Sequence, residues 1–221
     1  LGSLGKEKEA AVTLDLLRRM GELKTSELIV LGDLYHNLNL YDLSLDAYQE
    51  ALASSNKLSL SQYIRVAQTL IQRSSYQEGF SYLEKIENEF GDGRSKEEQK
   101  KINLLKAEVL QATGKNKEAT DLLTEIVSEH PLEGRALIQL GQLAWKARNL
   151  EYAIIQFERA AKVNEFENPA LIEHARLLVS MRKYNEAATL LERALSIKPE
   201  KRVEKYLNAI NNLALSARKK L

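Results

Sequence analysis

The sequence predicts an all-α chain of antiparallel helix pairs, and three observations carry that prediction. Residues 137–163 place apolar and small residues at three- and four-residue steps, interrupted once by a polar turn. This spacing puts Leu137, Leu140, Gly141 and Ala144 on one face of a first helix, and Ala153, Phe157 and Ala160 on one face of a second. The same pattern then returns along the chain at a nearly constant interval. Finally, the 221 residues contain only 3 prolines, as a nearly all-helical chain requires.

The recurrence runs in four columns. The small residue of the first helix returns as Gly32, Ala67, Ala107, Gly141 and Ala175, at intervals of 35, 40, 34 and 34 residues. The small residue opening the second helix returns as Ala10, Ser44, Gly79, Ala119, Ala153 and Ala187. A third column runs Leu14, Tyr48, Leu83, Leu123, Phe157 and Leu191; a fourth runs Leu17, Ala51, Ile86, Ile126, Ala160 and Ala194. Small residues in step mark places where two helices approach closely, because a larger side chain would hold the backbones apart. One helix pair cannot bury its own apolar face, so neighbouring copies complete the core.

The pattern resembles the tetratricopeptide repeat (TPR), with its period of about 34 residues, a small residue in each helix and a late proline. Pro131 and Pro199 stand where that proline belongs. The resemblance covers nearly the whole chain. It implies a right-handed TPR solenoid of antiparallel helix pairs with a C-terminal capping helix. It says little about ligand, because these are packing columns. Pentatricopeptide readers of RNA have a similar period, but the near-neutral charge and the small-residue columns favour the TPR.

Residues 1–24 read as the second half of a truncated repeat. Aligning GKEKEA at residues 5–10 with GKNKEA at 114–119 puts a turn near Gly5 and Leu1 near the end of a first helix. On that alignment the chain is a fragment of a longer protein; a native half-repeat serving as a cap is the alternative. Residues 25–59 form the first complete repeat and residues 60–99 the second. In the second, Ser75 and Glu78 have the spacing of a capping box. Its surplus length is the polar, glycine-rich loop at 91–98, which ends in another capping box, Ser95 and Glu98. That loop reads as tolerated extra length, since lengthening a loop costs little. Residues 100–133, 134–167 and 168–201 are regular repeats, the last opened by Asn168 as N-cap and Pro169 at the first helical position. Residues 202–221 form one helix. Its stripe of Val203, Tyr206, Leu207, Ile210, Leu213, Ala214 and Ala217 predicts a cap on the last repeat, followed by a solvated basic tail at 218–220.

Composition excludes several functions. Lys and Arg number 32 against 31 Asp and Glu, so the formal net charge is +1. A sequence-independent grip on nucleic acid needs a far more basic surface. With no cysteine there is no disulfide, thiolate nucleophile or zinc–thiolate site. No apolar run reaches the roughly 18 residues that suggest a membrane span, and a soluble chain of the cytoplasm or periplasm is expected. The histidines, His36, His130 and His174, have no helical metal-pair spacing and no HExxH context; they read as surface or partly packed residues. No phosphate loop and no nucleophile–base constellation stands out. The expectation is no enzyme, no cofactor and no metal.

In the solenoid that the resemblance implies, the first helices line an inner, concave surface. On that geometry one groove column is apolar: Ile29, Ile64, Leu104, Ile138 and Ile172. One turn on lies a polar column of Asp33, Gln68, Glu108, Gln142 and Arg176. Beyond it come His36 and Asn37, Gln72, Gln111, and Trp145 with Lys146. A peptide-binding groove would thus have an aliphatic strip flanked by amides and mixed charge, with part of the strip taken up by packing on the preceding repeat. Co-chaperones of similar fold clamp a terminal carboxylate with Lys and Asn on successive turns of one inner helix. No register here supplies that pair, which excludes such a clamp. Trp145, the only tryptophan, is expected beside the groove and near Arg176. The predicted function is a protein-interaction scaffold for an unidentified protein or peptide. The alternatives are a self-associating structural array, or the adaptor segment of a larger protein whose catalytic part lies outside these residues.

Overall fold

The computed structural model describes residues 2–54, 58–91 and 93–218. Among them are twelve α-helices and no strand. The helices are α1 (Gly2–Met20), α2 (Thr25–Asn37), α3 (Tyr41–Ala53), α4 (Leu60–Gln72), α5 (Tyr76–Phe90), α6 (Lys96–Ala112), α7 (Asn116–Glu129), α8 (Gly134–Lys146), α9 (Leu150–Ala160), α10 (Asn164–Ser180), α11 (Tyr184–Ile197) and α12 (Lys201–Arg218). No described helix is long and apolar enough to cross a membrane. The chain divides into two compact units, Leu1–Val109 and Leu110–Leu221.

One turn design closes every helix pair. A residue in the left-handed region follows the first helix, and the next N–H donates back to the carbonyl five residues earlier, as in a Schellman closure. Leu40 donates to Tyr35 at 2.8 Å, Ser75 to Leu70 at 3.0 Å, Lys115 to Leu110 at 2.8 Å, Asn149 to Ala144 at 2.9 Å and Lys183 to Leu178 at 2.9 Å. The left-handed residues are Asn39, Ser74, Gly114, Arg148 and Arg182, so only one of these five turns uses glycine. The same closure ends α1, where Gly21 is left-handed and Glu22 donates to Leu17.

In the first unit, Ile29, Tyr48, Leu83, Ile86 and Ile102 are fully buried in one apolar cluster. Gly32 lies under the ring of Tyr48, where any Cβ would collide with it. A Cβ on Gly79 would stand 2.7 Å from Ile71 Cγ1. These are the close approaches that the small-residue columns predict. The columns fail in α1. That helix runs unbroken through Gly5, where the alignment expected a turn. One glycine among Lys and Glu weakens a helix by about 1 kcal/mol without ending it. Ala10 is exposed, and Ala11 is buried instead beside Leu31, Tyr35 and Ala47.

In the second unit, Ala153, Phe157, Ala160, Ala187, Leu191 and Ala194 are all fully buried. A Cβ on Gly141 would stand 2.5 Å from Phe157 Cε1. Helix α12 packs on α11 through Val203 and Ile210, with Tyr206 and Leu207 half-buried in the same cluster. Its stripe then runs into solvent, since Leu213 is exposed. The Ala217 side chain and the tail at 219–221 lie outside the described residues.

Several end signals differ from expectation. Ser95 and Glu98 do form a capping box: the Ser95 N–H donates to Glu98 Oε2 at 2.9 Å and the Glu98 N–H to Ser95 Oγ at 3.2 Å. The Ser95 hydroxyl, which donates to Glu98 Oε2 at 2.7 Å, and then the Ser95 N–H hold the Glu98 carboxyl below its ordinary pKa. Ser75 caps α5 only by position, because its side chain makes no capping bond. The Schellman closure has already turned its backbone away from the extended form that a capping side chain needs. A box that the sequence reading missed joins Ser59 and Gln62 at the start of α4. Asn168 and Pro169 do not open α10, which begins at Asn164 and carries Pro169 inside it. The added turn brings Phe166 onto Gly134, whose missing Cβ leaves room for the ring. Asn168 Nδ2 instead donates to the Ala194 carbonyl at 2.7 Å, near the C-terminal end of α11.

Candidate functional site

The expected groove residues separate into three kinds of place. Ile29, Ile64 and Leu104 are buried, with 0%, 4% and 6% of their surface exposed, so they offer nothing to a ligand. The packing that was expected to claim part of the aliphatic strip claims these three entirely. Ile138 and Ile172 are half-buried.

Other residues are committed to neighbours within the first unit. Asp33 accepts from the Tyr48 hydroxyl at 2.7 Å and pairs with Arg65 Nη2 at 3.0 Å. His36 accepts from Arg73 Nε at 3.4 Å and meets Tyr41 edge-on, while the Arg73 guanidinium lies 4.3 Å over the Tyr41 ring. Burial and, next, the Arg73 charge push the His36 pKa down. Asn37 and Gln72 are exposed; Gln68 and Glu108 are half-buried. A mostly apolar cleft of about 420 Å³ opens elsewhere in this unit, between Ala11, Val12 and Leu16 of α1 and Tyr35, Leu38 and Leu40.

The remaining residues converge in the second unit. Gln111, Gln142, Trp145 and Lys146 line one cleft of about 560 Å³, together with Arg148 and Glu173. Trp145 is half-buried: it packs on the cluster of Ala144, Ala153, Phe157 and Leu177 while it lines the cleft. Glu173 is tied to Arg176 Nη1 at 2.5 Å. Arg176 does not line the Trp145 cleft, contrary to expectation. It faces a second cleft of about 390 Å³ with Ile172, Val203, Tyr206, Glu200 and Arg202. Arg176 stands one helical turn beyond Glu173, so the ion pair joins the rims of the two clefts.

Sequence reasoning missed Arg148 because it sits in a turn, and only the first helices were searched for groove columns. It missed Glu173 because that residue neighbours the Ile172 column without belonging to a periodic set. Among the described residues, no group of three or more His, Asp or Glu could hold a metal. His174 is half-buried and stacked on Phe157, with ring centres 6.3 Å apart, and burial lowers its pKa.

Family models described as tetratricopeptide repeat match residues 28–57, 104–168 and 169–201. The chain belongs to the tetratricopeptide repeat family, whose members serve as protein-interaction scaffolds. Among curated proteins there is no match. A tetratricopeptide repeat protein from Parabacteroides merdae ATCC 43184 is 18% identical, with 93% of this chain and 78% of that one covered at a TM-score of 0.68. TTC0263, a thermophilic TPR protein of Thermus thermophilus, is 16% identical over 85% of this chain and 98% of its own, at 0.64. YrrB, a TPR protein described as having an unusual peptide-binding site, is 19% identical over 93% and 96%, at 0.50. At these identities the likeness speaks for the fold.

Proposed function

We propose that this scaffold binds a peptide or helix of a partner protein in its second unit, with the Trp145 cleft as the centre. The observation that carries the reading is the convergence of Gln111, Gln142, Trp145 and Lys146 on one open cleft. A large rigid ring gains contact area at small entropic cost, which is why tryptophan dominates so many interfaces. The amides of Gln111 and Gln142 supply donors and acceptors for a peptide backbone. A peptide-binding site is described for YrrB, and a ligand of the same kind suits this cleft. The reading needs no catalytic residue.

The test uses peptides selected on the whole chain from a displayed random library. Binding to the parent is followed by the fluorescence of Trp145, and binding to both the parent and the variant by titration calorimetry. Trp145→Ala is expected to weaken selected peptides by about 2 kcal/mol or more, with helicity by circular dichroism unchanged. Peptides that bind the variant as tightly as the parent would remove the cleft from the site.

A further inference from the structure

We propose that the Trp145 cleft is built for an acidic segment: a peptide that sets a Glu or Asp side chain against Lys146 and Arg148 and an apolar side chain against Trp145. This deepens the reading above and rests on it. Three basic side chains of the first helices are already neutralised. Arg65 is paired with Asp33, Lys106 with Glu87, and Arg176 with Glu173. Lys146 and Arg148 have no carboxylate partner among the described residues, and both are exposed. The single carboxylate of the cleft, Glu173, is held by Arg176. The cleft therefore keeps a net positive charge, although the chain as a whole carries only +1. Two cations beside a half-buried indole complement a carboxylate adjacent to an apolar residue.

The backbone gives a second, separate reason to look at Arg148. It occupies the left-handed turn position at φ 64°, where a side chain is unfavourable and glycine is the natural occupant. Replacing it by glycine relieves that conformation and removes a cation from the cleft. Stability and binding should then move in opposite directions, which no general weakening of the fold would produce.

The experiment reads the random-library selection by composition. Displayed peptides are fused through their C-termini, and selected sequences are resynthesised as C-terminal amides, so any carboxylate that binds is a side chain. We expect enrichment of Glu and Asp next to apolar residues, and affinity that falls as salt rises. Arg148→Gly should hold or raise the melting temperature while weakening these peptides by about tenfold; Lys146→Ala should weaken them to a similar degree. Replacing Glu by Gln in the peptide should erase the difference between parent and variants. If selected peptides depend on Trp145 but carry no acidic enrichment and ignore both variants, the acidic proposal is overturned and the peptide-binding reading stands. If no selected peptide depends on Trp145, both fall.

Discussion

Three positions recur in both units, and they are used in opposite ways. In the first unit they hold Asp33, Tyr48 and Arg65; in the second, in the same columns, they hold Gln142, Phe157 and Glu173. Both rings, Tyr48 and Phe157, lie on the glycine of the preceding helix and are fully buried. The Tyr48 hydroxyl, however, bonds Asp33, and Arg65 completes a polar chain. Burial and then the Asp33 carboxylate hold that hydroxyl protonated well above the ordinary range. Phe157 has no hydroxyl. It stacks on His174, and Gln142 is left to the cleft. One oxygen atom thus separates a polar residue tied to its neighbours, Asp33, from one that lines a cleft, Gln142.

The comparison can be broken most severely at the ring itself. Phe157→Ala should lower stability by about 3–5 kcal/mol, since a fully buried aromatic leaves a cavity that helices cannot close; a urea melt giving less than 1 kcal/mol would show that the ring is not the keystone of its pair. Tyr48→Phe keeps the ring and removes only the hydrogen bond. A loss of about 1 kcal/mol is expected, read by the same melt, and Asp33→Asn in the Tyr48→Phe background should add little. Phe157→Tyr should shift stability by less than about 1 kcal/mol. Its added hydroxyl would reach toward Gln142, as Tyr48 reaches Asp33, and weaken selected peptides without unfolding the chain. Unchanged peptide affinity there would dissociate Gln142 from the site.

Which residues were legible in the sequence follows from what periodicity records. The close approaches at Gly32 and Gly141 were legible because only a small residue fits under the side chain of the facing helix, and a small residue stands at that place in every pair. Ile29 was placed in a groove and lies in the core, because a period says which face a residue is on but not how much of that face a neighbour covers. Asp33 was read as ligand-facing because its fate depends on a partner fifteen residues away. Arg148 went unnoticed because a left-handed turn filled by Asn, Ser or Arg has no shared residue type. In α1 the period itself misled: Ala10 matched its column, but the helix continued through Gly5 and buried Ala11 instead.

The left-handed turns have a further consequence, for the order in which the chain comes apart. Backbone amides exchange with solvent through local openings, and the ease of opening is set turn by turn. Gly114 occupies its turn without steric penalty, whereas Ser74, Arg148 and Arg182 each hold theirs against one. Hydrogen exchange at the closing amides of Ser75, Asn149 and Lys183 should therefore be faster, for equal burial, than at Lys115. Glycine placed at these turns singly would slow each one in isolation. The fold thus carries a set of independent dials, one per helix pair, for choosing which hairpin frays first.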